Sequence, residues 1–200
     1  LIDDGSDDDS FELMNNYSDF INVNIFKNPI SKGLRSCANF VLKKAKGKYI
    51  IRLDADDFFD ENAIYLYVNF LEKNSDKVLV YSNWVYVDEK GKFIGIENRK
   101  KLNKETEVFD LAAHGACTMI KTDVLKKVGG YDTSFDTQDG FEIWTKIIKD
   151  HKVGNISTPL FYYRKHGSSM SSNPSKLLKA RRNIKIKLIE DYNKESDLNK

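Results

Sequence analysis

Short apolar runs alternate with stretches of helical spacing through about residue 81. Leu1-Ile2 runs into the turn signal Asp3-Asp4-Gly5-Ser6, as the tail of a buried strand does. Val23 to Phe26 reads as a short strand, and Pro29 and Gly33 then break the chain. Ala38, Val41, Leu42 and Ala45 fall at i, i+3, i+4 and i+7, one face of a helix, with Gly47 placed to close it as the C′ residue. Tyr49-Ile50-Ile51-Arg52-Leu53 has the near-continuous apolarity of a buried strand and stops at Asp54-Ala55-Asp56-Asp57. Ile64, Tyr67, Val68 and Leu71 mark a second amphipathic helix, and Val78 to Tyr81 begins a third strand. Trp84 to Ile96 reads as a hairpin around Asp88-Glu89-Lys90-Gly91. This alternation predicts an α/β fold, a mostly parallel sheet flanked by helices. Beyond residue 82 the order is less regular. A strand at Met119-Ile120 leads to a short helix capped by Thr122 and closed by Gly129-Gly130. Phe141, Trp144 and Ile148 then line a further helix, Leu160 to Tyr163 reads as a strand, and from Lys176 the chain is a basic helical tail.

Composition narrows the classes. The chain has 200 residues, enough for a core without disulfide or metal staples. Thirty-two basic against thirty acidic residues argue against a dedicated nucleic-acid binder. Hydrophobic residues make up 40%, a globular value. Cys37 and Cys117 lie far apart and form no metal-type pair, which fits a reducing, cytoplasmic compartment. No apolar run approaches a membrane span, and no charged-then-apolar leader opens the chain.

Two carboxylate groups, Asp3-Asp4 and Asp54/Asp56/Asp57, directly follow expected strands. In open α/β sheets the carboxyl ends of the strands face the ligand crevice, so the two groups are expected to share one site. Three carboxylates within four residues repel one another unless a cation or strong donors compensate, and an oxygen-rich donor set suits a hard divalent ion such as Mg²⁺ or Mn²⁺. The competing reading is a solvated helix N-cap; placement after a buried strand favours the site. Asp139 stands at a helix start in Gln138-Asp139-Gly140-Phe141-Glu142-Ile143-Trp144. It serves equally well as an N-cap or as a carboxylate kept ionised for general base work. Tyr163-Arg164-Lys165-His166-Gly167-Ser168-Ser169 sets a cation pair beside a histidine and serines, a candidate phosphate contact.

In this order and spacing, the chain from residue 1 to about 172 resembles the family 2 glycosyltransferases of the GT-A (Rossmann-like) fold. The matching stretches are Leu-Ile-Asp-Asp-Gly-Ser at 1–6, Lys-Asn-Pro-Ile-Ser-Lys-Gly-Leu-Arg at 27–35, Ala38-Asn39, Lys46-Gly47-Lys48-Tyr49-Ile50, Leu53-Asp54-Ala55-Asp56-Asp57, Val128-Gly129-Gly130-Tyr131-Asp132, Asp139 through Trp144, and Tyr163-Arg164-Lys165-His166. The resemblance implies a metal-dependent inverting transferase that moves a sugar from a nucleotide-sugar, most often a UDP-sugar, to a glycan or lipid-linked acceptor. It implies surface polysaccharide assembly on the cytoplasmic side, at the inner face of a membrane. Carried over residue by residue, Asp3, Asp4, Lys32, Arg35, Asp54 and Asp56 are nucleotide contacts. Asp56, Asp57 and His166 are the metal set, and Asp139 is the catalytic base. Trp84, His114 and Gln138 are acceptor-side candidates, with Trp84 evenly balanced between stacking on a sugar and core packing. The acid that often precedes the catalytic Asp is Gln138 here. Residues 1–172 are expected to form the transferase domain, nucleotide-binding to residue 82 and acceptor-binding from 83, without the family's first strand and helix. Residues 173–200 are then a basic tail and a candidate for membrane-surface contact, although Glu190, Asp191 and Glu195 after the basic run favour an ordinary solvated helix. A non-catalytic sugar-nucleotide-binding remnant is the alternative, distinguished by absence of turnover.

Overall fold

A computed structural model of the chain describes residues 1–99, 115–167 and 173–198. They divide into two compact units, Leu1–Lys44 and Ala45–Lys200.

In the first unit, β1 (Ile2–Asp3) and β2 (Phe26–Lys27) pair in parallel, with Ile2 opposite Phe26 and Asp3 opposite Lys27. The acidic run Asp7–Asp9 precedes α1 (Ser10–Asn15), where Asp8 accepts the Ser10 N–H at 3.0 Å. α2 (Leu34–Lys44) buries Cys37 and Leu42 and sets the Phe40 ring edge-on to Phe26. It starts four residues before the apolar spacing, because Gly33 at φ 82 turns the chain and its carbonyl accepts the Cys37 N–H. It also ends at Lys44, short of Gly47, with Lys43 and Lys44 at the negative end of the helix dipole.

The second unit is built on a sheet ordered β3 (Tyr49–Ile50), β7 (Thr118–Lys121), β5 (Lys77–Val87), β8 (Lys152–Arg164), β4 (Phe58–Phe59), with β6 (Phe93–Glu97) also on β5. The α/β class holds, but the sheet is mixed. Among the described strands of this unit, only β5–β8 is parallel; β5–β6, β5–β7, β3–β7 and β4–β8 are antiparallel. The hairpin explains β6: Asp88 accepts the N–H groups of Lys90 and Lys92, and Gly91 takes φ 80, so the chain reverses at once. The parallel pair needs a crossover, and the connection from β5 to β8 contains α4 (Thr122–Lys127) and α5 (Asp139–Ile148).

β5 is buried almost end to end, because the sheet is covered on both faces. Ala63, Tyr67 and Leu71 of α3 (Ala63–Lys73) pack with Val80, Met119 and Leu160. The Tyr67 hydroxyl lies 2.6 Å from Ser82 Oγ and donates to the Cys117 carbonyl, so this buried phenol is satisfied. Phe141, Ile143, Trp144 and Ile147 of α5 are buried, and Trp144 meets Tyr81 edge-on. Pro159 carries no N–H for the β8 ladder and the register shifts beside its partner Asn83, whose side chain repairs the gap by donating to the Ser157 carbonyl at 2.6 Å. The basic tail is α6 (Pro174–Leu198), which buries Ile184 and packs against α5.

Candidate active site

The strand expected over residues 49–53 pairs with β7 only at Tyr49 and Ile50. Past Ile50 the chain leaves the ladder, and this exit sets up the site. Arg52 turns inward and joins two acids far apart in sequence. Its Nη1 donates to Asp139 Oδ2 at 2.5 Å; its Nε lies 2.7 Å from Asp54 Oδ1 and its Nη2 donates to Asp54 Oδ2 at 3.0 Å. Burial opposes the guanidinium's charge, but the Asp139 and Asp54 carboxylates hold its pKa well above the usual arginine range. Beside this group burial pushes the Tyr131 phenol up to about 12. The leading acid of the Leu53–Asp57 motif and the carboxylate at the start of α5 thus meet through one cation.

Asp139 opens α5, where the helix dipole favours a negative side chain. Gln138 before it takes φ 61, a left-handed conformation rare for a residue with a side chain. Its Oε1 accepts the Arg181 Nε–H at 3.0 Å, and the Arg181 guanidinium lies over Phe141. A second tie from α6 runs from Lys187 to Asp132. Burial opposes the Asp132 charge, but Lys187 and Ser134 hold its carboxyl well below the usual range. The tail therefore buttresses the helix that carries Asp139.

Asp56 and Asp57 occupy the turn before β4. Asp56 Oδ2 lies 2.8 Å from His166 Nε2. Asp57 is buried; its Oδ1 accepts the Arg164 N–H at 2.8 Å, while its Oδ2 is buried with no hydrogen-bond partner among the described residues. Burial raises the Asp57 carboxyl to about 7; the Arg164 N–H opposes this, and the Asp56 and Asp54 charges add to it. An orphaned carboxylate oxygen beside a carboxylate–imidazole pair fits a hard divalent cation. Among the described residues no group of three or more histidine, cysteine or acidic side chains is arranged to hold a metal ion.

Arg164, half of the expected phosphate-contacting cation pair, serves the scaffold instead. Its Nε donates to the Asp56 carbonyl and its Nη1 to the Glu89 carbonyl, because β8 runs beside both turns. Lys165 sits over the Tyr86 ring. Trp84, evenly balanced in the sequence between stacking on a sugar and core packing, sits in the core. It is 2% exposed, packed with Ala116, Cys117 and Phe161, and has Arg99 over its ring; on the central strand no ring face is left for a sugar. His114, Ser168 and Ser169 lie outside the described residues.

In the first unit, Asp3 accepts the Ser6 N–H at 2.9 Å, and the hydrogen bonds from Ser6 lower its carboxyl. Partial burial opposes the Asp4 charge, but donors from Lys32, Asn28 and Ser31 hold that carboxyl well below its usual range. These donors and the Gly33 N–H tie the 28–33 loop to the end of β1. Gly5, at φ 81, has no room for a Cβ against Ser31. The Lys32 side chain is exposed and Arg35 is buried on α2.

Comparison with known proteins decides the family. The profile described as glycosyl transferase family 2 matches residues 1–129. The chain belongs to that family. It is 30% identical over 190 residues to the Escherichia coli UDP-Glc:α-D-GlcNAc-diphosphoundecaprenol β-1,3-glucosyltransferase WfaP, covering 92% of this chain and 72% of that one. With the E. coli enzyme WfgD, of the same described activity, it shares 27% over 184 residues, 88% of this chain and 68% of the relative. A crystal structure of Staphylococcus aureus TarS 1–349 in complex with UDP-GlcNAc superposes with a TM-score of 0.70 at 17% identity. It covers 86% of this chain, which spans about half (51%) of TarS 1–349. This family 2 chain thus has the GT-A α/β fold and belongs to a family of transferases.

The sequence pattern does not single out Arg52, which stands inside an apparent strand. Its place two residues before Asp54 was the available signal. In the sequence Arg181 is one cation of a basic run, with nothing that ties it to Gln138.

Proposed function

We propose that the chain carries the catalytic domain of an inverting glycosyltransferase that moves a sugar from a nucleoside-diphosphate sugar to an acceptor hydroxyl. The observation that carries this reading is the Asp54–Arg52–Asp139 chain of ion pairs, which brings two family motifs together in one unit. In the reaction the acceptor oxygen forms a bond to the anomeric carbon, and the bond from that carbon to the diphosphate oxygen breaks. The acceptor proton passes to Asp139, which is worth about 10²–10⁴ in rate when the base is well placed. Asp56, Asp57 and His166 would hold a Mn²⁺ or Mg²⁺ ion. When bound, the cation supplies Lewis-acid stabilisation of the leaving diphosphate. Asp3, Asp4, Lys32, Arg35, Asp54 and Asp56 are assigned to the nucleotide and Gln138 to the acceptor side. The names of the E. coli relatives favour UDP-glucose as donor and a diphospholipid-linked GlcNAc as acceptor. The test is calorimetric titration of UDP with and without Mn²⁺, in the wild type and in Asp56→Asn/Asp57→Asn. Manganese-dependent binding that disappears in the variant is expected; equal binding in both proteins would remove the metal assignment.

A lipid-linked acceptor places the reaction at a membrane face, on the cytoplasmic side in this reading. No described helix is long and apolar enough to cross a membrane. On α6, the exposed Leu178, Ile189 and Tyr192 share a face with Lys179, Arg182 and Lys185, the mixture that suits an anionic interface. Binding to phosphatidylglycerol vesicles that falls with salt and drops in a Lys179/Arg182/Lys185 triple glutamine variant is expected; salt-insensitive binding would count against this contact.

A further inference from the structure

We infer that Arg52 is a positioning residue for the transfer, acting through Asp139 and anchored by Asp54; this rests on the function proposed above. Three observations support it. Arg52 reaches Asp139 across 87 positions of sequence, and the pair is largely shielded, with side-chain exposures of 16% and 15%. The same guanidinium pairs with Asp54, donating from Nη2 to Oδ2 and lying with Nε 2.7 Å from Oδ1, so it is anchored on its other side from Asp139. Gly115 stands against the pair: a Cβ there would fall on Asp139 Oδ2 and within 3.1 Å of Arg52 Nη2.

A shielded ion pair is poor evidence of a stabilising device, since desolvation offsets most of its attraction. A flat guanidinium, however, aims its N–H donors along fixed directions in one plane, as a lysine ammonium does not. The bond to Asp139 Oδ2, with Gly115 close behind it, limits where the carboxylate sits and so the direction from which it meets an acceptor hydroxyl. With two carboxylates around one cation, the group keeps a net negative charge, as a base requires. Misplacing a reacting group by about 1 Å costs about a hundredfold in rate. Arg52 thus links the motif assigned to the donor to the group that activates the acceptor.

The test uses UDP-glucose with a synthetic lipid-diphosphate GlcNAc acceptor, and the variants Arg52→Lys, Arg52→Gln and Gly115→Ala. Each is expected to lower kcat by about a hundredfold while the KM for UDP-glucose stays within about threefold. Arg52→Gln placed on Asp139→Asn is expected to add no further loss, because the two residues act as one unit. Retention of kcat within twofold in both Arg52 variants, a KM rise that accounts for the loss, or losses that multiply in the double variant would overturn the inference. A urea-unfolding double-mutant cycle on the same residues needs no turnover. A double variant whose midpoint falls by less than the sum of the singles supports the pairing, and strict additivity overturns it. Absence of wild-type turnover with these substrates would count against the function proposed above, while the cycle still decides the pairing.

Discussion

Asp139→Asn is expected to abolish sugar transfer, by about 10²–10⁴ in kcat, while leaving Mn²⁺-dependent UDP binding in place. The substitution keeps shape and volume, so α5 and its buried face of Phe141, Ile143, Trp144 and Ile147 should be undisturbed. It removes the one property the chemistry needs, a carboxylate that can accept the acceptor's proton. Arg52 keeps its ion pair with Asp54 and loses only its charged partner at Asp139. Initial rates and UDP calorimetry on the same preparation separate the outcomes. Turnover within tenfold of wild type would remove Asp139 from the role of base. Loss of UDP binding together with turnover would make it a structural residue.

The second large effect is a pH dependence set by Asp57. Its carboxyl stands at about 7 in the fold against 3.8 for the free side chain. Below 3.8 the group is protonated in both states and its contribution to stability is whole. As pH rises the unfolded chain ionises first, while the fold retains the proton until about 7. Folding stability is therefore lost across this window, by about 4 kcal/mol at about 1.4 kcal/mol per unit. Asp4 and Asp132 have lowered values and act in the opposite sense, gaining stability as pH rises through the acid range. Comparing wild type with Asp57→Asn isolates the one residue. In urea titrations with a chelator at pH 4, 6 and 8, the variant should gain on the wild type by several kcal/mol toward pH 8. Added Mn²⁺ should restore the wild type at pH 8 and not the variant, since a cation offers the buried oxygen the charge partner it lacks. Parallel pH profiles for the two proteins would show that the Asp57 carboxyl carries no such penalty.

Much of this protein was legible as a linear pattern. The period of Ala38, Val41 and Leu42 placed α2, and the apolar Val78–Tyr81 placed β5. The Asp88–Gly91 turn placed the hairpin, and Phe141 and Trp144 placed α5. These are local consequences of side-chain period and turn chemistry, which the chain carries wherever it goes. The acidic motif and the acid opening α5 were legible for the same reason: short spacings with their own chemistry.

Tertiary structure decided the rest. Strand direction was one such outcome, since short strands do not encode their neighbours and a mixed sheet follows from how the connections pack. The fate of Trp84 was another, because burial depends on what covers a strand on both faces. Arg164 became a scaffold residue through the turns that β8 passes. The charge of Asp57 reflects burial beside Asp54 and Asp56, which spacing alone cannot report. The hold of Arg52 on Asp139 depends on where the chain leaves the β3 ladder. Sequence alone offered candidate residues for the chemistry and most of the elements they stand on. Folding decided which of them meet, because electrostatics and hydrogen bonding act over a few ångströms of space and are blind to separation along the chain.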